Sequence, residues 1–201
     1  SNGNTQGMVS WNWKANGAGS ANTVGDIDST VSVNTTSGFS IVKWTSNGSN
    51  DDTIGHGLGV TPKLVFYKRL DSTGTWYVVY TFVDGSQDYL QLDATSSVSS
   101  LDPATYGTAT ATTLSNIGLG NTQEYVAYCF AEVTGFSKFS SYYGNGDADG
   151  PVITTGFKPS FLMIKKSSAS GDWYMFDNKI TPTNVVNSYQ NANKAEASTF
   201  P

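Results

Sequence analysis

The chain has 201 residues, of which only 13% are charged, and it carries a net charge of −5. With its longest basic groupings at Lys68–Arg69 and Lys165–Lys166, it lacks the clustered cations that displace counterions from phosphates, so no nucleic-acid partner is expected. No run approaches the ~18 apolar residues of a membrane span, so no membrane insertion is expected, and Cys129, the one cysteine, leaves no internal disulfide. Ser, Thr, Asn and Gly supply most of the polarity. Short neutral side chains suit a pleated surface better than a helix exterior, which points to an all-β protein.

Taken in chain order, the opening "SNGNTQGMVSWNWKANG" has neither the basic start nor the apolar core of a signal peptide. Within it Val9, Trp11 and Trp13 alternate as one face of a strand. "GFSIVKW" reads as the next strand, followed by the Asn-Gly loop "SNGSNDD". "KLVFYK" and "TWYVVYTF", separated by a Ser/Gly turn, read as a hairpin entered through Pro62. "DYLQLD" and "TTLSNIGLG" continue the first half, and "EYVAYCFAEV" places Val126, Tyr128 and Phe130 on one face. A second "GFS" follows at Gly135, then "SFLMIK" and "DWYMF". The closest approach to a helix is "NVVNSYQNANKAEAS", whose Ala, Gln, Lys and Glu suit about two turns.

Gly38 and Gly135 open two copies of one pattern, 97 residues apart. "GVTPKLVFYK" matches "GFKPSFLMIK", and "STGTWYVV" matches "ASGDWYMF", which pairs Gly74 with Gly171 and Trp76 with Trp173. Turn glycines, a strand-opening proline and a tryptophan recurring at fixed offsets signal an internal repeat. The expected fold is therefore an antiparallel β-sandwich, jelly-roll-like, built from a repeat of about 100 residues. Residues 1–134 form the first copy with its leading strand, and residues 135–201 an incomplete second copy. The second copy lacks a counterpart of "EYVAYCFAEV", so a strand from residues 8–16, of the same or a neighbouring chain, is expected to complete it. Val9, Trp11, Trp13, Trp76, Tyr128, Phe130 and Trp173 are the expected core or assembly anchors.

Reactive constellations are sparse. His56, in "TIGHGLGVTP", has no second histidine near it and reads as a loop residue bonding backbone. Cys129, among alternating apolar neighbours, reads as a small core side chain. Asp26/Asp28, Asp51/Asp52 and Asp147/Asp149 lie in Gly/Asn/Ser-rich turns, where carboxylates bond their own backbone. No catalytic residue and no cofactor is expected. Asn145, Asp147 and Asp149 have oxygen ligands spaced for a calcium ion, though without the downstream Glu of an EF-hand. Asn34 and Asn47 sit in glycosylation sequons, and Trp44, Tyr142 and Tyr143 are candidates for stacking on a glycan or receptor.

The strings "VAYCFAEVTGFSKFSSYYGNGDADGPVITTGFKPSFLMIKK" and "GHGLGVTPKLVFYKRLDSTGTWYVV" resemble the tandem β-repeats of bacteriophage virion structural and tail-fibre proteins, over residues 8–178. The resemblance implies a non-enzymatic structural or host-contact role, an extracellular or virion location, and copies of the chain itself as partners, with a cell-surface glycan as the alternative. It carries no catalytic residues across.

Overall fold

Successive side chains on a strand point to opposite faces, and here the two faces are covered by different parts of the chain. The computed structural model describes residues 10–117, 119–180 and 188–195. Its strands are β1 (Ser20–Asn22), β2 (Ser29–Asn34), β3 (Phe39–Thr45), β4 (Thr53–Gly55), β5 (Leu64–Arg69), β6 (Tyr77–Tyr80), β7 (Asp88–Gln91), β8 (Ser99–Ser100), β9 (Thr113–Ser115), β10 (Glu124–Phe130), β11 (Phe161–Lys165), β12 (Trp173–Asp177) and β13 (Gln190–Asn191). The main sheet runs β1-β2-β3-β10-β5-β6-β7-β8, antiparallel throughout. The fold is nearly all-β, as the composition predicts, and its sheets are antiparallel.

β10 is the keystone of the main sheet. It enters between β3 and β5, pairing Tyr125 with both Trp44 and Arg69, and Phe130 with both Phe39 and Leu64. One face of this sheet presents Val31, Val42, Trp44, Val65, Tyr67, Val79, Tyr125, Ala127 and Cys129, all buried. The β4–β9 ribbon closes that face with Ile54 and Leu114, both fully buried, helped by Ile117 and Leu119. Its backbone ends are held by Asn116, whose amide donates to Ser46 Oγ at 3.0 Å and to the Ser49 carbonyl at 2.6 Å. Trp44 stacks on Tyr125 with centroids 5.8 Å apart, and Tyr67 donates its hydroxyl to the Ser115 carbonyl.

The opposite face is covered in part by the sheet β11-β12-β13. Trp173 and Met163 pack on Val78, Tyr80, Leu90 and Phe66, and the Trp173 indole donates to the Gln91 carbonyl at 2.8 Å. Backbone bonds from Gly171 to Thr95 and from Val98 to Ser167 fasten the tip of the β11–β12 hairpin to the segment after β7.

The hairpins β5–β6 and β11–β12 share one register: Tyr67 faces Tyr77, and Ile164 faces Tyr174, each position displaced by the same 97 residues. Gly38 and Gly135 both hold left-handed backbone, with φ of 65° and 76°. At Gly38 a Cβ would lie 2.7 Å from the Ala131 carbonyl oxygen, so only glycine fits the approach to β10.

Two local expectations change. The second "GFS" stretch, Gly135 onward, makes only an isolated bridge between Val133 and Ser137, and Phe136 is 60% exposed where its counterpart Phe39 is buried. A ladder needs a neighbouring strand, and β10 already serves β3 and β5. The helical reading of "NVVNSYQNANKAEAS" gives way to a short strand, β13, within the described part of that stretch. The helix that does form is α1 (Pro103–Tyr106), with Asp102 accepting from Ala104 as N-cap and Pro103 opening the first turn.

Candidate functional site

Corresponding positions of the two hairpins meet different fates. In the first, Val65, Tyr67 and Val79 lie at 2–4% exposure beneath the β4–β9 ribbon. Their counterparts in the second, Leu162, Ile164 and Phe176, have no such ribbon over them among the described residues. Leu162 is 45% exposed and Tyr174, the counterpart of half-buried Tyr77, 37%. Tyr189 partly covers this second face, packing edge-on to Tyr174 at 5.1 Å and tilted against Phe176 at 6.0 Å. β5 pairs with β6 on one side and β10 on the other, whereas β11 pairs with β12 alone among the described strands.

The leading segment approaches that edge. Val9 falls outside the described residues, and residues 10–16 form no strand. Their aromatic side chains nevertheless bridge the two sheets. Trp13 stands edge-on to Phe130 at 5.8 Å and to Phe161 at 5.9 Å, and Trp11 packs on Phe161 at 5.6 Å while donating to Asp177 Oδ2 at 2.7 Å. Pairing "VSWNW" with "VAYCF" makes Trp13 the counterpart of Phe130, and Phe161 that of Leu64, the residue Phe130 faces in the main sheet. Trp13 therefore sits by Phe161 much as Phe130 sits by Leu64.

The other candidates distribute as follows. Tyr128 and Phe130 share a face with Val126, as alternation predicts, but the more deeply buried face of β10 carries Tyr125, Ala127 and Cys129. Trp173 is buried, while Trp76 is half-buried, with the Lys68 ammonium 5.7 Å from its ring. Trp44 is only 3% exposed and locked between Tyr67 and Tyr125, so it offers no ring face to a glycan. Tyr143 is 91% exposed and Tyr142 48%. Asn47 is exposed and bonded to Asp52, and the Asn34 amide donates to the Lys14 carbonyl at 3.2 Å. Asn145 and Asp147 each accept from the backbone two residues on, at 3.1 and 3.2 Å, as Asx turns do. Among the described residues no cluster of three or more His, Cys, Asp or Glu is placed to hold a metal ion.

Burial decides the chemistry of the two reactive side chains. Cys129 is fully buried, and desolvation pushes its thiol up to about 12, so it stays protonated at neutral pH. His56 is fully buried as well; Nδ1 accepts from the Leu58 amide at 3.2 Å, which assigns the proton to Nε2, facing the Thr110 carbonyl at 3.3 Å. Burial holds its pKa below the ordinary 6.5. The folded state thus takes up a proton less readily than the unfolded chain, so His56 costs stability as pH falls below about 6.5 toward its lower folded value. Thermal melts should show a loss over that window that is absent in His56→Gln; identical pH profiles would contradict the assignment. "TIG" and "TTL" are short β-branched runs of the kind that mark strands, but three residues carry no alternation that tells which face they cover.

No curated protein and no solved structure matches the chain. A single family model spans residues 1–200, and the chain belongs to that family, DUF7483, a domain of unknown function.

Proposed function

We propose that the protein is a structural subunit that assembles with copies of itself into an extracellular fibre or virion appendage, through β-strand complementation of its second hairpin. One observation carries this reading: among the described residues, the apolar face that is sealed on β5–β6 is only partly covered, by Tyr189, on β11–β12, beside a strand edge with no pairing partner. Exposed apolar faces and bare strand edges are templates for association. A duplicated plan supports it further. The shared hairpin register, and the paired left-handed glycines Gly38 with Gly135 and Gly59 with Gly156, favour a repeat of about 100 residues, arranged as a sandwich where Trp173 meets the main sheet. In that plan the slot beside β11 belongs to a strand like β10, and the segment around Trp11 and Trp13 has the matching pattern. When a neighbouring chain supplies it, the contact is head-to-tail and propagates into an open array.

Deleting residues 1–16 tests the donor. The truncated chain should keep its β-sheet circular dichroism and lose assembly in light scattering. Unchanged assembly would remove the N-terminal strand from the account.

A further inference from the structure

We infer that the loop at residues 144–150 is a docking seat for a neighbouring copy of the chain, which fills it with the turn "GNTQ" of its residues 3–6. This seat rests on the assembly reading above and extends the contact beyond the β11 edge.

The loop has a filled twin in the same chain. Loop 46–52, "SNGSNDD", matches loop 144–150, "GNGDADG", at a spacing of 98 residues, with Asn, Gly and Asp in common. Their backbones agree as well. Asn47 and Asn145 each accept from the amide two residues on, at 3.0 and 3.1 Å. Gly48 and Gly146 both hold left-handed backbone, at φ of 82° and 76°. On the first loop sits the turn "GNTQ" of residues 120–123, just ahead of β10. Ser46 donates its amide to the Gln123 carbonyl at 2.9 Å and accepts from the Thr122 amide at 2.7 Å. These bonds hold Thr122, a β-branched residue, in left-handed backbone at φ of 56°. Asn121 comes so close that a Cβ on Gly48 would lie 2.8 Å from its own. On the second loop no described residue lies within 4 Å of a Cβ placed on Gly144 or Gly146. Gly144, the counterpart of Ser46, has no backbone partner among the described residues.

The occupant is written at the start of the sequence. Residues 3–6 read "GNTQ" again, 117 residues before 120–123, the same spacing that pairs Trp13 with Phe130. β10 unites β3 with β5. A strand in the β10 place of the second half would unite residues 136–142 with β11 and set its own "GNTQ" on loop 144–150. Met8 stands where Tyr125 does, so the hydroxyl that braces Gly120 and Gln123 has no counterpart. Asn4 and the backbone of residues 5 and 6 carry the contact instead. Within one chain this register is not reached. Trp11 and Trp13 both crowd Phe161, whereas the β10 pattern, in which Tyr128 faces Phe66, sets Trp11 opposite Met163. The leading segment of a neighbour is free of that crowding.

Two cysteine variants of the intact chain, Gln6→Cys and Gly144→Cys, test the contact, since Gln123 and Ser46 stand opposite one another at the filled loop. Cys129 is buried and stays silent. Mixed under mild oxidation, the variants should give roughly tenfold more disulfide-linked pair than either alone, because docking concentrates the two thiols. Adding Gly146→Asn to the Gly144→Cys chain should abolish the link. Asparagine accepts left-handed backbone, so the loop keeps its shape and the parent's circular dichroism, but its Cβ takes the place of Asn4. A link that forms only inside a chain carrying both cysteines, or one indifferent to Gly146→Asn, would overturn the proposal. Light scattering on the same samples separates it from the assembly reading: polymers without the link overturn this seat alone, whereas neither polymer nor link removes both.

Discussion

Trp173→Ala is expected to release the second sheet from the first and to lower stability by about 3–5 kcal/mol, the cost of truncating a large buried aromatic. The side chain is 6% exposed and sits among Val78, Tyr80 and Leu90, so its loss opens a cavity at the meeting of the two sheets. It also removes the indole N–H bond to the Gln91 carbonyl at 2.8 Å, leaving that oxygen only the longer bond from the Ala94 amide at 3.4 Å. Trp173→Phe is the milder change: it keeps most of the apolar area, and the lost hydrogen bond costs about 1 kcal/mol, to which the smaller ring adds a smaller cavity. Chemical denaturation reads both. The alanine variant should also expose the β11–β12 hairpin to protease before the main sheet unfolds, because the ribbon-covered core does not include Trp173. A single unshifted transition in the alanine variant would show that the two sheets are not joined through this residue.

The second large effect concerns assembly. Leu162→Lys is expected to abolish polymer formation while leaving the folded chain within about 0.5 kcal/mol of the parent, as exposed substitutions generally do. Leu162 stands 45% exposed on β11, so the fold loses little by its removal. A lysine on an edge strand blocks the approach of a second strand through charge and desolvation. Its counterpart Val65 offers the contrast. At 3% exposure, Val65→Lys buries an ammonium beneath Ile54 and Leu114 and should prevent folding outright. Sedimentation and circular dichroism on the two variants distinguish an assembly residue from a core residue at equivalent places. Polymers formed by Leu162→Lys would place the contact elsewhere.

The sequence made the main strands legible because alternation and turn chemistry act locally. "EYVAYCFAEV" reads as a half-buried strand from its own residues, and "KLVFYK…TWYVV" as a hairpin from the Ser/Gly turn between. Which face of β10 goes deepest was not local information. Tyr125, Ala127 and Cys129 are chosen by the β4–β9 ribbon, whose strands lie about 60 residues apart in the chain. Trp44 shows the same limit, since an aromatic in an alternating strand reads alike whether its face is open or roofed. The second "GFS" stretch failed as a strand for want of a neighbour, although its residues match those of β3 at Gly, Phe and Ser. The "DPATYG" helix was readable from Asp, Pro and Gly at cap positions, but four residues give no periodicity to find.

The most direct test of self-assembly is electron microscopy of the purified chain, with light scattering through a dilution series. Strand complementation predicts regular filaments that persist at low concentration, since many backbone hydrogen bonds must break together to release a subunit. Discrete particles of fixed size at every concentration would contradict it.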